Sequence, residues 1–500
     1  MKAFLMFEKT NFSMQQKLAW NEEALIQDLE LNTLFNGMAQ GDDFIFEVAK
    51  KAVLSGVYND VNTILYRQNT LRDSLNNASI IKKMYKISVE AIKSNNKSYL
   101  SEFSLVYPTT TLQNAVGVMQ LFVKFLQQLR TIADNHSDNF HSEGFTMLFA
   151  MLKKELDDEF FTRVKNHLQE LKLENGILLS AELGKGNKGK HWILHRFKAK
   201  RECWFRRLFP KKSSSYTFSI YHKDDRGMRI LSDLKGEGVN LVANALAQSA
   251  DHIHSFFTML QTELAFYMGC LNLHEQLTQM GEPTSFPSPL AKEQHKHSFE
   301  ELYDACLALT LKQKTVGNTT NVDDKTLVLI TGANKGGKTT YLRSIGLSQL
   351  MMQCGMFVPA ETFEANLCDS LITHFKREED ITMKSGKLDE ELSRMNDIIN
   401  HLTPNSIVLF NESFAATNER EGSEIARQIV NALLEKRIRV YFVTHLYDFA
   451  NSIYVRKLPN VISLRAVRQN DTSRTFRLEE AEPQETSYGE DLYDKIFLIN

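Results

Sequence analysis

The sequence predicts a multidomain protein: mostly helical over its first 290 residues, with a small β-rich insertion, then an α/β domain over residues 291–500. Three observations carry this. Apolar residues recur at three- and four-residue steps through most of the first part. A turn-prone basic stretch between apolar runs breaks that pattern after residue 175. Beyond residue 290, short β-branched runs alternate with helical segments, as in a sheet layered with helices.

The elements follow in order. Residues 1 to about 135 read as helices, and the helical region extends to 175. Glycine and proline are sparse there, and Leu112, Val116, Met119, Val123 and Leu126 keep to one helical face. Residues 176–230 read as the β-rich insertion. Gly184–His191 (GKGNKGKH) is a basic loop, Tyr216–His222 (YTFSIYH) alternates like a strand, and KDDRG after it reads as a turn. Residues 231–290 read as one long helix and a linker. Leu246, Ala250, Ile253, Phe257, Leu260, Leu264, Tyr267 and Leu271 hold the 3–4 spacing without a break. Such a helix is on the order of 40 Å long, which suits a rod or a buried bundle helix. Gly281–Pro289 holds three of the nine prolines and reads as the linker.

Composition excludes some function classes. Five hundred residues exceed one core, so several domains are expected. The formal net charge of −2 excludes a globally basic chain, so any nucleic-acid contact must be local. Cys203, Cys270, Cys306, Cys354 and Cys368 form no C-x-x-C pair, which argues against a disulfide frame or zinc site and for a reducing compartment. The N-terminal segment has no apolar signal core, and no run approaches the roughly 18 apolar residues of a membrane span. A cytoplasmic protein with no membrane partner is the expectation.

The densest chemistry begins at residue 327. An apolar strand, Leu327–Ile330, runs into Gly332, Ala333, Asn334, Lys335, Gly336, Gly337, Lys338 and Thr339, with Thr340 and a helical pattern beyond. This is G-x-x-x-x-G-K-[ST] between a strand and a helix. Glycines let backbone N–H groups wrap phosphates, and the helix N-terminus adds positive potential. Lys338 can reach β- and γ-phosphates, and the Thr339 hydroxyl can bind Mg²⁺. ATP and Mg²⁺ are therefore the expected ligands. A second strand ends in Asn411-Glu412. Nucleotide enzymes often place a metal-holding carboxylate at the first of these positions; here it is Asn. Thr339, Asn411 and Glu412 are the candidate metal residues, partly through water, and Glu412 is the candidate general base. A third strand ends at Thr444-His445, and His445 can sense the γ-phosphate, orient water, or simply bond within the core.

These motifs resemble the MutS family. TGANKGGKTTYLRSIG is similar to its phosphate-loop segment, SGKLDEELSRMNDII to its signature segment, and NESFAATNEREGSEIA to the strand-end and following loop. VTH matches its switch, and TSYGEDLY its closing segment. The resemblance covers about 170 residues with five motifs in order, and implies an ATPase domain of the ABC/MutS type. It implies that Ser385 and Gly386 touch a partner subunit's nucleotide, so a homodimer through the ATPase domains is expected. The earlier residues resemble the family's lever and clamp more weakly. No segment like its mismatch-wedging GDFYE is seen, so a shortened relative is the expectation. Asn411 replaces the family's Asp, and GKLDEEL and FAATNE depart from its signature and loop patterns.

Between Lys185 and Lys212 there are eleven Lys or Arg, with Trp192, Phe197, Trp204, Phe205 and Phe209 among them. Lys198, Lys200, Arg201, Arg206, Arg207, Lys211 and Lys212 are the candidate nucleic-acid contacts, since cations and aromatics suit phosphates and bases. The alternative is a solvated loop. The resemblance implies an ATP-driven DNA clamp acting in repair or recombination. A slowly hydrolysing ATP-binding scaffold and a protein- or RNA-directed clamp remain the other readings.

Overall fold

A computed structural model describes residues 1–55, 60–99, 108–174, 176–196, 216–217, 219–221, 224–377, 386–468 and 474–484. The first helices are α1 (Glu22–Asp28), α2 (Leu31–Ala39), α3 (Asp43–Leu54), α4 (Val61–Asn76), α5 (Ala78–Tyr99), α6 (Pro108–His136), α7 (Glu143–Glu155) and α8 (Asp158–Leu171). An antiparallel hairpin of β1 (Leu178–Leu183) and β2 (Gly189–His195) precedes α9 (Asp225–Gln279). Then come β3 (Ser288–Leu290), β4 (His297–Leu302), α10 (Ala305–Leu311), β5 (Asn318–Asn321), β6 (Leu327–Thr331) and α11 (Lys338–Gln353). The chain continues through β7 (Thr362–Asn366), β8 (Leu371–Phe375), α12 (Lys387–His401), β9 (Ile407–Asn411) and α13 (Glu419–Glu435). It closes with β10 (Arg439–Val443), α14 (Tyr447–Tyr454), β11 (Val461–Arg468) and β12 (Arg474–Glu480).

Contacts divide the chain into two compact units, each discontinuous in sequence. The first holds Met1–Ala3, Ser79–Phe140 and Phe145–Gln261. Its helices pack through aromatic side chains, among them Phe122 and Phe257 with ring centroids 5.7 Å apart. The second holds Phe4–Ala78, His141–Gly144 and Thr262–Asn500. Its main sheet has the order β12-β11-β6-β10-β9-β8, parallel except for the edge strand β12. A mixed sheet of order β3-β7-β4-β5 accompanies it. Strands β6, β9 and β10 are buried on both faces, so they read as continuous apolar runs without alternation. Val408, Phe410, Val440 and Phe442 pack with Met395 and Ile398 of α12 and Ala426, Val430 and Leu433 of α13. α11 is buried almost all round. A Cβ at Gly346 in its middle would meet Leu29 Cδ2 at 2.8 Å and Leu409 Cδ1 at 2.9 Å, so any larger residue there would force those leucine side chains to shift.

Four local expectations are corrected. Residues 1–20 are not helical. Instead the Glu263 carboxylate, fully buried on α9, accepts the N–H groups of Leu5, Met6 (3.2 Å) and Phe12 (3.0 Å). Tyr267 Oη donates to Leu5 O at 2.6 Å and Arg67 Nε to Met6 O at 2.9 Å, so the segment's hydrogen bonds go to helices far along the chain. Tyr216–His222 forms no strand among its described residues; Tyr216 and Tyr221 are exposed, and β1 and β2 pair only with each other. Alternation marks two faces but does not supply a partner edge. Within the predicted KDDRG turn, Asp225, Arg226 and Gly227 instead begin α9, where Asp224 Oδ1 accepts the Gly227 N–H at 2.9 Å as a helix cap does; Lys223 lies outside the described residues. That helix is 55 residues long, well beyond the run Leu246–Leu271 that the spacing marks. The segment Gly281–Pro289 is not a free linker. Ser285 bridges Val358, and Ser288–Leu290 is a strand paired with β7 at the edge of its sheet, where proline is tolerated.

Candidate functional site

Three loops meet because β6, β10 and β9 are parallel neighbours. Their C-terminal ends therefore lie on one edge of the sheet, the edge where open α/β sheets hold ligands. The loop Gly332–Gly337 follows β6, Asn411 and Glu412 close β9, and Thr444 and His445 follow β10. Thr444 N–H donates to Ile330 O at 3.0 Å and Glu412 N–H to Val443 O at 2.9 Å, tying the three strand ends together.

The glycines of the loop have specific work. Gly332 sits at φ +111°, and a Cβ there would meet Ala466 N at 2.9 Å; Gly337 sits at φ +91° as the residue before α11. Lys338 opens α11, and its Nζ donates to Gly332 O at 2.8 Å and Ala333 O at 2.9 Å. Burial pulls its ammonium down to about 8, against the attraction of Glu412. Thr339 Oγ1 donates to Asn411 Oδ1 at 3.1 Å. His445 Nε2 lies 3.1 Å from Glu412 Oε1. That bond, with the charges of Lys338 and Lys376, holds the Glu412 carboxyl below its ordinary range, so it is ionised at neutral pH.

A cavity of about 440 Å³ opens on this edge, lined by Asn334 through Tyr341 and by Glu412. Leu311, Val316 and Phe476, three exposed apolar residues, line it too. Asn318 fixes Phe476: its Nδ2 donates to Phe476 O at 3.2 Å and its Oδ1 accepts the Leu478 N–H at 2.8 Å. Sequence reasoning missed all four residues, because no motif joins residue 318 to residue 476. His445 and Asn411 do not line the cavity; His445 contacts its lining residue Glu412, and Asn411 its lining residue Thr339. Gly386 precedes α12 with open space around it and is not part of the cavity. Ser385 lies outside the described residues, as do Lys198, Lys200, Arg201, Arg206, Arg207, Lys211 and Lys212.

The donor set fits Mg²⁺. Thr339 Oγ1 and Asn411 Oδ1 are already within hydrogen-bonding distance, and the Glu412 carboxylate follows directly. Hydroxyl, amide and carboxylate oxygens suit that hard cation, which completes its shell with water and phosphate. Among the described residues no group of three or more His, Cys, Asp or Glu could hold a metal ion. Among the described residues no helix is long and apolar enough to cross a membrane.

Fold and site define a multidomain protein, helical and α/β, with a glycine-rich loop, a buried lysine and an ionised carboxylate gathered at the end of a parallel sheet. Residues 59–280 match the family model described as MutS2 N-terminal domain, and residues 328–496 the one described as MutS domain V. The DNA mismatch repair protein MutS of Nostoc punctiforme is 30% identical over 217 residues, 42% of this chain and 24% of that protein. That of Streptococcus mutans is 28% identical over 293 residues, 58% and 34% of the two chains. Human MutS protein homolog 4 is 27% identical over 300 residues, 56% and 30%. The chain belongs to the MutS family. Its matched stretches span about a quarter to a third of these relatives' lengths.

Proposed function

We propose that this protein binds ATP with Mg²⁺ in the cavity beside Lys338 and hydrolyses it, as the motor of a DNA-handling dimer in the cytoplasm. The observation that carries this is the convergence of Lys338, Thr339 and Glu412 on one cavity that apolar Leu311, Val316 and Phe476 also line. The loop amides and Lys338 take the phosphates, Lys338 exchanging the Gly332 and Ala333 carbonyls for phosphate oxygens. Leu311, Val316 and Phe476 flank the base. Thr339 and Asn411 would hold Mg²⁺, which when bound would neutralise charge developing on the phosphates. Glu412 accepts a proton from water as its oxygen attacks the γ-phosphorus; the bond from that phosphorus to the bridging oxygen breaks, giving ADP and phosphate. His445 orients the carboxylate.

In this reading residues 291–500 are the motor, 1–175 and 231–290 the lever, and 176–230 the clamp. Lys198, Lys200, Arg201, Arg206, Arg207, Lys211 and Lys212 carry the DNA contact. Ser385 and Gly386 complete the partner subunit's site, which makes the dimer two-fold and isologous. The relatives named for DNA mismatch repair support DNA over RNA as the partner. A second reading, an ATP-binding scaffold with slow turnover, has one observation in its favour: Asn411 stands where a carboxylate would hold the metal. Steady-state ATP hydrolysis by wild type and by Lys338→Ala tests the proposal. Loss of hydrolysis with an unchanged melting temperature is expected. Equal rates, with contaminating ATPase excluded, would overturn it.

A further inference from the structure

The turn that carries Glu412 is strained and is held from outside the motif. Glu412 and Phe414 both have positive φ, 53° and 63°, a region in which residues with a Cβ persist only when their surroundings fix them. The surroundings here are specific. Phe414 N–H donates to Glu391 Oε2 on α12 at 2.7 Å. Ser413 Oγ lies 2.6 Å from His374 O and 2.7 Å from His374 Nδ1 on β8. His374 Nε2 returns to the Glu391 backbone carbonyl at 3.1 Å. The His374 ring also stacks on Phe414, centroids 5.3 Å apart at 24°. Glu391, His374 and Ser413 are all buried. Burial holds His374 at about 4, hence neutral, with one ring N–H to place. The Ser413 hydroxyl donates its one proton to His374 O, so the neutral ring places its own proton in one of its two contacts, from Nδ1 to Ser413 Oγ or from Nε2 to Glu391 O.

These contacts form a closed ring joining β8, α12 and the turn after β9. None of its members lines the nucleotide cavity. We infer that Glu391 and His374 are positioning residues: they hold the turn Glu412–Phe414 so that the Glu412 carboxylate faces the cavity. The inference rests on reading Glu412 as the general base. It adds that the carboxylate's pose is set by α12, the helix that begins at Gly386, so a shift of that helix moves the base. A base must lie within hydrogen-bond reach of its water, and a misplacement of about 1 Å costs on the order of 10²-fold.

The test is single-turnover ATP hydrolysis, with ATP affinity and thermal unfolding measured on the same samples. Glu391→Ala removes the acceptor of the Phe414 N–H. It is expected to slow hydrolysis by roughly 10- to 100-fold with ATP affinity near wild type. Glu391→Gln keeps an acceptor oxygen and is expected to restore most of the rate. In a Glu412→Gln background, Glu391→Ala is expected to cause no further slowing, since it acts through Glu412. Ser413→Ala is a milder second variant, expected to fold and to lose rate in the same direction. A wild-type rate in folded Glu391→Ala and Ser413→Ala, or additive slowing in the double variant, would overturn the inference. Unchanged hydrolysis in Glu412→Gln alone is a different result, which removes the general-base reading itself.

Discussion

If the cavity takes ATP as proposed, Lys338 should make that binding depend on pH in a calculable way. Its ammonium is buried against two backbone carbonyls and is depressed from 10.5 to about 8. Phosphate oxygens favour the charged form, so the bound state returns the lysine towards its ordinary value. The complex then holds more protons than the free protein between about pH 8 and 10.5. Binding in that window takes up a proton, and affinity falls as pH rises. With 8 for the free site and 10.5 for the complex, affinity drops on the order of twentyfold between pH 7.5 and 9.5. Titration calorimetry with a non-hydrolysable ATP analogue in buffers of different ionisation enthalpy reads both the affinity and the proton uptake. Lys338→Met should bind weakly and without this pH dependence. A pH-independent affinity in wild type, or uptake of no proton at pH 9, would refute the reasoning.

Other outcomes follow from the same geometry. Glu412→Gln should keep or tighten ATP binding while turnover falls about 10²-fold or more, and with ATP it should sediment as a dimer at micromolar concentration. Asn411→Asp restores a charged metal ligand, so the Mg²⁺ concentration for half-maximal hydrolysis should fall about tenfold, roughly 1.4 kcal/mol; an unchanged Mg²⁺ requirement would show that Asn411 does not hold the metal. Replacing Arg206, Arg207, Lys211 and Lys212 with Ser should flatten the slope of log affinity for duplex DNA against log salt by roughly 3 to 4 units, with little change in sequence preference. A wild-type slope would make the patch ordinary surface.

What was legible in the sequence is what local pattern dictates. The G-x-x-x-x-G-K-[ST] loop between an apolar strand and a helix states its own geometry, because the turn needs glycine at residues 332 and 337 and the lysine opens α11. The strand ends Asn411-Glu412 and Thr444-His445 were legible as continuous apolar runs followed by polar residues. Their convergence follows from parallel neighbouring strands, a topology the motifs imply but do not spell out. What was hidden depends on pairs far apart. Glu263 binds amides more than 250 residues earlier, and Asn318 fixes Phe476 across 158 residues. Such contacts leave no periodicity to read. The ring around Glu391, His374 and Ser413 was hidden for the same reason: each residue looks like ordinary core or helix surface until β8, α12 and β9 are brought together. The Tyr216–His222 expectation failed in the opposite way, since a pattern was present and no described partner strand met it.

The central claim is that this cavity hydrolyses ATP under the control of a bound nucleic acid. The direct measurement is the steady-state ATPase rate with homoduplex, mismatched, branched and single-stranded DNA, and with RNA, for wild type and for the variant lacking Arg206, Arg207, Lys211 and Lys212. The account predicts a rate that at least one DNA form changes in wild type and leaves unchanged in the variant, with the basal rate equal in both. A wild-type rate indifferent to every nucleic acid in the panel would contradict it.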